Sequence, residues 1–129
     1  KTNLQYAVIE GVSFGILDGI NAISKVDNSF EKIFVVGGGS KSNFWLQLLS
    51  SLLNRKLNVC DQSEYGAALG VARLAMNVDS DIINKDNIIK EIQISKEYQP
   101  QLDNTKLLAK RYENWRNLYN SNKKIAQNL

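Results

Sequence analysis

Apolar positions recur mostly four residues apart at Leu4, Val8, Val12, Ile16, Ile20 and Ile23, which predicts one long helix over residues 3–25. Gly11, Gly15 and Gly19 lie on the adjacent stripe. An interior helical glycine costs about 1 kcal/mol against alanine, so three of them predict close packing of another backbone. Asp27-Asn28-Ser29 breaks the pattern. Lys32-Ile33-Phe34-Val35-Val36 then reads as a short buried strand running into Gly37-Gly38-Gly39. Ser42 is placed to cap the next helix, whose apolar stripe is Phe44, Trp45, Leu48, Leu49 and Leu52, with Asn54-Arg55 as its stop. Leu57–Cys60 is a second strand with Asp61 at its carboxyl end, and Ser63 caps a third helix over Glu64–Met76. Strand–helix–strand–helix over residues 32–77 predicts a right-handed parallel βαβ unit. Beyond it come a weaker helix over residues 81–92, an extended Gln93–Tyr98 and a reversal at Pro100, the only proline. A last helix over Thr105–Ala126 carries a docking stripe of Leu108, Tyr112 or Arg111, Trp115, Leu118, Tyr119 and Ile125.

Composition narrows the chemistry. The 129 residues are 43% hydrophobic and 22% charged, which fits one folded domain or a piece of a larger one. There is no histidine and one cysteine, which excludes Ser-His-Asp triads, histidine acid–base catalysis, common His/Cys metal sites and an internal disulfide. Cys60 reads as a buried bystander thiol in a reducing compartment. The sequence starts at Lys1, and with no signal peptide or transmembrane apolar run read in it, the expectation is a segment of a cytoplasmic protein without a membrane partner.

The net charge of +3 is unevenly spread. Residues 105–129 hold Lys106, Lys110, Arg111, Arg116, Lys123 and Lys124 against Glu113, a balance of +5, leaving −2 for the rest. The positive charge is therefore the solvated face of one helix, not a nucleic-acid footprint.

Gly37-Gly38-Gly39-Ser40-Lys41-Ser42 is the chemically loaded feature. Glycines at the carboxyl end of a parallel strand let a ligand approach the backbone, and amides at a helix start favour polar or anionic groups. The P-loop pattern fails twice, because Ser40 and Val35 stand where it needs glycines. The dinucleotide pattern fits at Gly37 and Gly39 but meets Ser42 last, with Asp61 about 22 residues on as a candidate ribose ligand. An NAD-binding βαβ unit of an oxidoreductase is thus one alternative.

A longer match covers nearly the whole chain. Val35 to Ser42 followed by Trp45, then Gly66-Ala67-Ala68-Leu69-Gly70-Val71-Ala72, resembles the C-terminal domain of the FGGY carbohydrate kinases, most closely their xylulokinase branch. Glu10-Gly11-Val12-Ser13-Phe14 through Asp18-Gly19, Tyr98-Gln99-Pro100, and Tyr112…Trp115…Leu118-Tyr119 agree in order and spacing.

The resemblance implies an α/β fold: a partial actin-like, ribonuclease H-like ATPase domain with a parallel βαβ core around the glycine loop and long N- and C-terminal helices. It implies transfer of the γ-phosphoryl of ATP, with Mg²⁺, to a sugar hydroxyl, with D-xylulose or another pentulose expected. Backbone at Gly38, Gly39 and Ser40 is expected against the adenosine, with Asn43 at the adenine edge. Lys41 is expected to stay solvated, and Ala68 and Gly70 to permit close helix–sheet packing behind the loop.

In this family the sugar site, the catalytic Asp, the second phosphate motif and most of the Mg²⁺ ligands lie upstream of the long first helix. Residues 1–129 are therefore expected to form an incomplete C-terminal domain that binds ATP or ADP but has no kinase activity alone. Three further strands upstream would leave a sheet edge here that invites a homodimer. A non-catalytic actin-like interaction module is the remaining alternative.

Overall fold

A computed structural model of the chain describes residues 2–26, 32–61, 63–78 and 93–126. The elements in order are α1 (Thr2–Ser24), β1 (Ile33–Val35), α2 (Asn43–Leu53), β2 (Leu57–Cys60), α3 (Gly66–Val78), β3 (Ile94–Tyr98) and α4 (Leu102–Ala126). Short 3-10 turns at Gly38–Lys41 and Ser63–Tyr65 precede α2 and α3. The helix expected over residues 81–92 and the breaker Asp27–Ser29 lie outside the described residues.

The expected β1–α2–β2 unit is present, with Ile33, Phe34 and Val35 in parallel register with Leu57, Asn58 and Val59. β3 adds itself antiparallel to β2, pairing Tyr98 with Leu57 and Glu97 with Asn58, with an irregularity at Val59/Cys60. The sheet order is β1-β2-β3, a mixed sheet instead of a purely parallel one. Central β2 buries Leu57, Asn58 and Val59, whereas β1 at the edge leaves Phe34 partly exposed, contrary to the buried strand expected there.

α2 starts and stops as its sequence dictates. The Ser42 hydroxyl accepts from the Trp45 amide at 3.3 Å. Asn54 closes the helix in the left-handed conformation at φ 49°. The buried stripe is shifted from expectation: Leu46, Leu49 and Leu52 are buried with Ser50 and Ser51, while Phe44 is exposed. Phe14, Leu52, Leu108 and Tyr112 form a core between α1, α2 and α4, with Leu17, Leu48 and Trp115 packed against it. Each fully buried large apolar side chain contributes about 1.5–3 kcal/mol.

α1 faces the other way from its aliphatic periodicity. Its buried residues are Glu10, Ser13 and Phe14, while Leu4, Val8, Val12, Ile16 and Ile23 are exposed. The cause is what the neighbouring helices offer. Arg111 of α4 pairs with Glu10, Trp45 of α2 donates to Ser13, and Tyr112 and Trp115 of α4 pack on Phe14. A Cβ on Gly11, Gly15 or Gly19 would meet no described atom within 4 Å, so the expected close backbone approach is not made here. Contrary to expectation, α1 is long and apolar enough to cross a membrane by length and composition. What holds it in this fold is an ion pair and aromatic packing to α2 and α4.

α4 buries Leu108 and Tyr112 and half-buries Trp115 as expected, but Leu118 is exposed. Pro100 stands between β3 and α4, where the Gln101 amide donates to Ser51 Oγ at 3.1 Å and Thr105 Oγ1 donates to the Ser51 carbonyl at 2.9 Å.

Candidate functional site

The glycine loop follows β1 at the carboxyl end of the parallel pair and winds into a 3-10 turn instead of an open loop. Gly37 sits at φ 90°, ψ −177°, a region that only glycine occupies without strain. Its amide donates to the Ser63 carbonyl at 2.7 Å, and its carbonyl accepts from the Ser40 amide at 3.1 Å and the Ser40 hydroxyl at 2.7 Å. Ser40 Oγ and Ser63 Oγ are 2.8 Å apart. A hydroxyl has one proton, and that of Ser40 goes to Gly37, so Ser63 is the donor between the two serines. Ser40 is accordingly buried, its hydroxyl turned inward, while Gly38 is exposed and Gly39 half-buried.

Gly39 is fixed from below. A Cβ there would lie 2.7 Å from Trp45 Cζ3. The indole is itself held: Trp45 Nε1 donates to Ser13 Oγ at 2.9 Å, and Ser13 Oγ donates to the Ile9 carbonyl at 2.7 Å. A continuous path therefore joins α1, through the buried Ser13 and the indole, to the underside of the loop. Gly38 differs, because a Cβ added there meets no described atom within 4 Å and its backbone φ is not in the left-handed region.

Behind the loop the close approach is made by Gly66, whose Cβ would sit 3.3 Å from Val36 Cβ. The expectation for Ala68 and Gly70 is not met: Ala68 is exposed and Gly70 has open space beside it. Ser63 opens a 3-10 turn and clasps Ser40, while α3 starts two residues later than expected.

Asn43 is the first residue of α2, immediately after the loop, and is exposed. Its Oδ1 accepts from the Tyr98 hydroxyl at 2.6 Å, so the side chain is not simply a solvated first-turn amide. The structure thus gathers Gly38, Gly39 and Ser40 in one turn with Asn43 beside it. Sequence reading missed three supports: Ser13, Ser63 as a clasp, and Tyr98. They lie 32, 23 and 55 residues from their partners; Ser13 and Tyr98 stood in the flanking runs of the family resemblance with no role attached, and Ser63 was read only as a helix cap.

Lys41 is exposed at the end of the turn. Asp61 is exposed at the end of β2, and its amide donates to the Gln93 carbonyl at 2.9 Å. Cys60 is half-buried instead of buried, and desolvation, reinforced by Asp61, raises its thiol pKa above the ordinary value. A thiol so perturbed stays protonated near neutrality and is a poor nucleophile. Among the described residues no three His, Cys, Asp or Glu side chains converge on a metal position, so no residue described here is assigned to Mg²⁺.

The sequence pattern of the FGGY family of carbohydrate kinases, C-terminal domain, matches residues 1–77, which include α1, the glycine loop and β2. The xylulose kinase of Escherichia coli strain K12 is 26% identical over 116 residues, covering 90% of this chain and 24% of that protein. The crystal structure of a xyloylose kinase from Brucella ovis superposes at TM-score 0.79 with 27% identity, over 95% of this chain and 26% of that one. A gluconate kinase from Lactobacillus acidophilus superposes at TM-score 0.66 with 26% identity, over 89% of this chain and 23% of that one. The chain spans about a quarter of the length of the relatives it matches. The family match decides against the dinucleotide-binding alternative, and it covers the loop together with the elements that hold it from both sides. The chain belongs to the FGGY family of carbohydrate kinases.

Proposed function

We propose that this chain is the adenosine-binding portion of an ATP-dependent sugar kinase that transfers the γ-phosphoryl of ATP to a pentulose hydroxyl. D-Xylulose, giving D-xylulose 5-phosphate, is the substrate favoured by the relatives named xylulose kinase. The observation that carries the reading is the division of labour among the three loop glycines. Backbone conformation requires Gly37 and the indole requires Gly39, whereas no described neighbour within 4 Å requires Gly38. The open space over Gly38 is where a nucleotide would lie against the backbone, with Gly39 beside it, the buried Ser40 holding the turn from within and Asn43 at the adenine edge.

Phosphoryl transfer rests on positioning and on charge stabilisation between the walls of a cleft. Mg²⁺ supplies part of that charge, from ligands the family carries mainly upstream. This chain's share is to hold the adenosine end, so by itself it binds nucleotide weakly, on the order of millimolar, and transfers nothing. The parent acts in the cytoplasm, where ATP is available. The exposed edge of β1 is the surface by which the isolated chain would pair with a copy of itself.

An amide-resolved NMR titration with Mg-ADP tests the reading. The expected result is shifts at Gly38, Gly39, Ser40 and Asn43, weakened by Asn43→Ala and unaffected by Asp61→Ala. Loss of the shifts in Asp61→Ala alone would return the loop to dinucleotide binding. Unperturbed loop amides at tens of millimolar ADP would favour the non-catalytic interaction module.

A further inference from the structure

We propose that Tyr98 sets the base preference of this site by fixing which end of the Asn43 amide is oxygen. The inference rests on the adenosine reading of the loop and adds a residue that no loop motif contains. The Tyr98 hydroxyl and Asn43 Oδ1 are 2.6 Å apart. That is the range of an O–H···O bond, whereas an amide N–H donating to the phenol oxygen would sit nearer 2.9 Å. The short contact therefore marks the tyrosine as donor and the near end of the amide as oxygen.

Tyr98 is well placed to impose this. Its main chain is paired with Leu57 in the sheet, and its carbonyl accepts from Ser50 Oγ at 2.9 Å. The next carbonyl, of Gln99, accepts from Gln47 Nε2 at 2.8 Å. The last residue of β3 and the one after it are thus tied to α2, and the ring reaches back to the first residue of the helix. Asn43 is exposed, and without the phenol its amide is free to turn over.

The two ends of a side-chain amide are nearly identical in shape and opposite in hydrogen bonding. An asparagine free to turn over serves either kind of base edge. One that is held offers a fixed acceptor beside a fixed donor. Oδ1 keeps a second lone pair after accepting from Tyr98, and Nδ2 keeps both protons. That pair complements the 6-amino group and N1 of adenine. Against a 6-oxo purine Oδ1 meets the O6 acceptor and Nδ2 meets the N1–H donor, a double mismatch that only the turned-over amide relieves. Tyr98 therefore excludes 6-oxo purines by denying Asn43 the turned-over state.

The test is an amide NMR titration of this chain with ADP and with IDP, following Gly38 and Gly39. The wild type is expected to bind ADP about fivefold more tightly than IDP, the scale of one hydrogen bond. Tyr98→Phe narrows the ratio to within about twofold, chiefly because IDP binds better. Asn43→Asp presents acceptors at both ends, one matched and one mismatched against either base, and levels the ratio to within about twofold, and adding Tyr98→Phe to it changes the ratio little. Should Tyr98→Phe lose its dispersed spectrum, Asn43→Asp alone decides: a levelled ratio supports the proposal and a kept ratio overturns it. A folded Tyr98→Phe that keeps the full ratio overturns the role of Tyr98 while leaving the adenosine reading intact. If neither nucleotide moves the loop amides, the adenosine reading fails and the inference with it.

Discussion

The indole of Trp45 lies directly beneath Gly39, so closely that a methyl group on Gly39 would stand 2.7 Å from Cζ3 and 3.3 Å from Cε3. The ring cannot simply swing aside, because its Nε1 is hydrogen-bonded to the buried Ser13. Gly39→Ala is therefore expected to destabilise the chain by about 1–3 kcal/mol, the usual cost of overpacking. Trp45→Leu makes room for the methyl, so Gly39→Ala should cost less on that background. Urea denaturation of the four members of the cycle measures the coupling.

The neighbouring glycines separate fold from function. Gly37→Ala places a side chain at φ 90°, ψ −177°, which costs about 1–3 kcal/mol. Gly38→Ala meets no described atom within 4 Å and is expected to leave stability within about 0.5 kcal/mol. The same methyl occupies the space assigned to the nucleotide, so ADP shifts should weaken at least threefold in Gly38→Ala. A Gly38→Ala variant that binds ADP as the wild type does would remove the loop backbone from the nucleotide contact.

The sequence pattern shows how far local rules reach. Strand–glycines–helix was legible because β-branched runs, glycine clusters and a capping Ser42 each act over a few residues. The antiparallel sense of β3 was not, since extended residues 93–98 can pair either way and their partner β2 lies more than 30 residues earlier in the chain. The inward face of α1 was misread for a related reason. Periodicity reports which stripe is most apolar but not what its neighbours offer, and α4 offers a guanidinium to Glu10 and rings to Phe14. Around the site, Gly38, Gly39, Ser40 and Asn43 were legible as a contiguous run. The residues that hold them, Ser13, Ser63 and Tyr98, are distant in the chain and chemically ordinary.

The contact between Glu10 and Arg111 gives the third prediction. Arg111 Nε and Nη2 donate to Glu10 Oε1 and Oε2 at 2.6 and 2.7 Å, a bidentate pair whose carboxylate side is 8% exposed and whose guanidinium side is 47% exposed. The two ends are therefore unequal. Arg111→Met strands a nearly buried carboxylate and is expected to cost about 2–3 kcal/mol. Glu10→Gln leaves a guanidinium that reaches water and is expected to cost about 1 kcal/mol. The ordering is read from urea midpoints, and equal losses would mean that the pair acts only as a surface contact.

The last prediction concerns alkaline pH. The Tyr112 hydroxyl donates to Asp18 Oδ1 and accepts from Asn21 Nδ2 in a buried position. Desolvation raises its pKa above the ordinary 10.0, the hydrogen bond to Asp18 raises it further, and Asn21 opposes them. Burial and then Glu10 likewise raise Tyr6, against Arg111. Between the unfolded and folded pKa the native chain holds protons that the unfolded chain has released, so stability falls as pH rises. Their contribution is thus complete below about pH 10 and is lost as pH climbs through the folded values. Urea midpoints should accordingly hold steady across pH 8–9.5 as far as these two groups are concerned, then fall. Tyr112→Phe should start about 1 kcal/mol less stable from the lost hydrogen bonds and show a shallower alkaline fall. Ultraviolet titration of the phenolates supplies an independent check. Tyr6 and Tyr112 should ionise above the ordinary phenol value, and the Tyr112 component should be missing from the variant. A wild-type and a Tyr112→Phe curve that fall in parallel above pH 10 would show that neither burial nor the Asp18 contact raises the Tyr112 pKa in the folded chain.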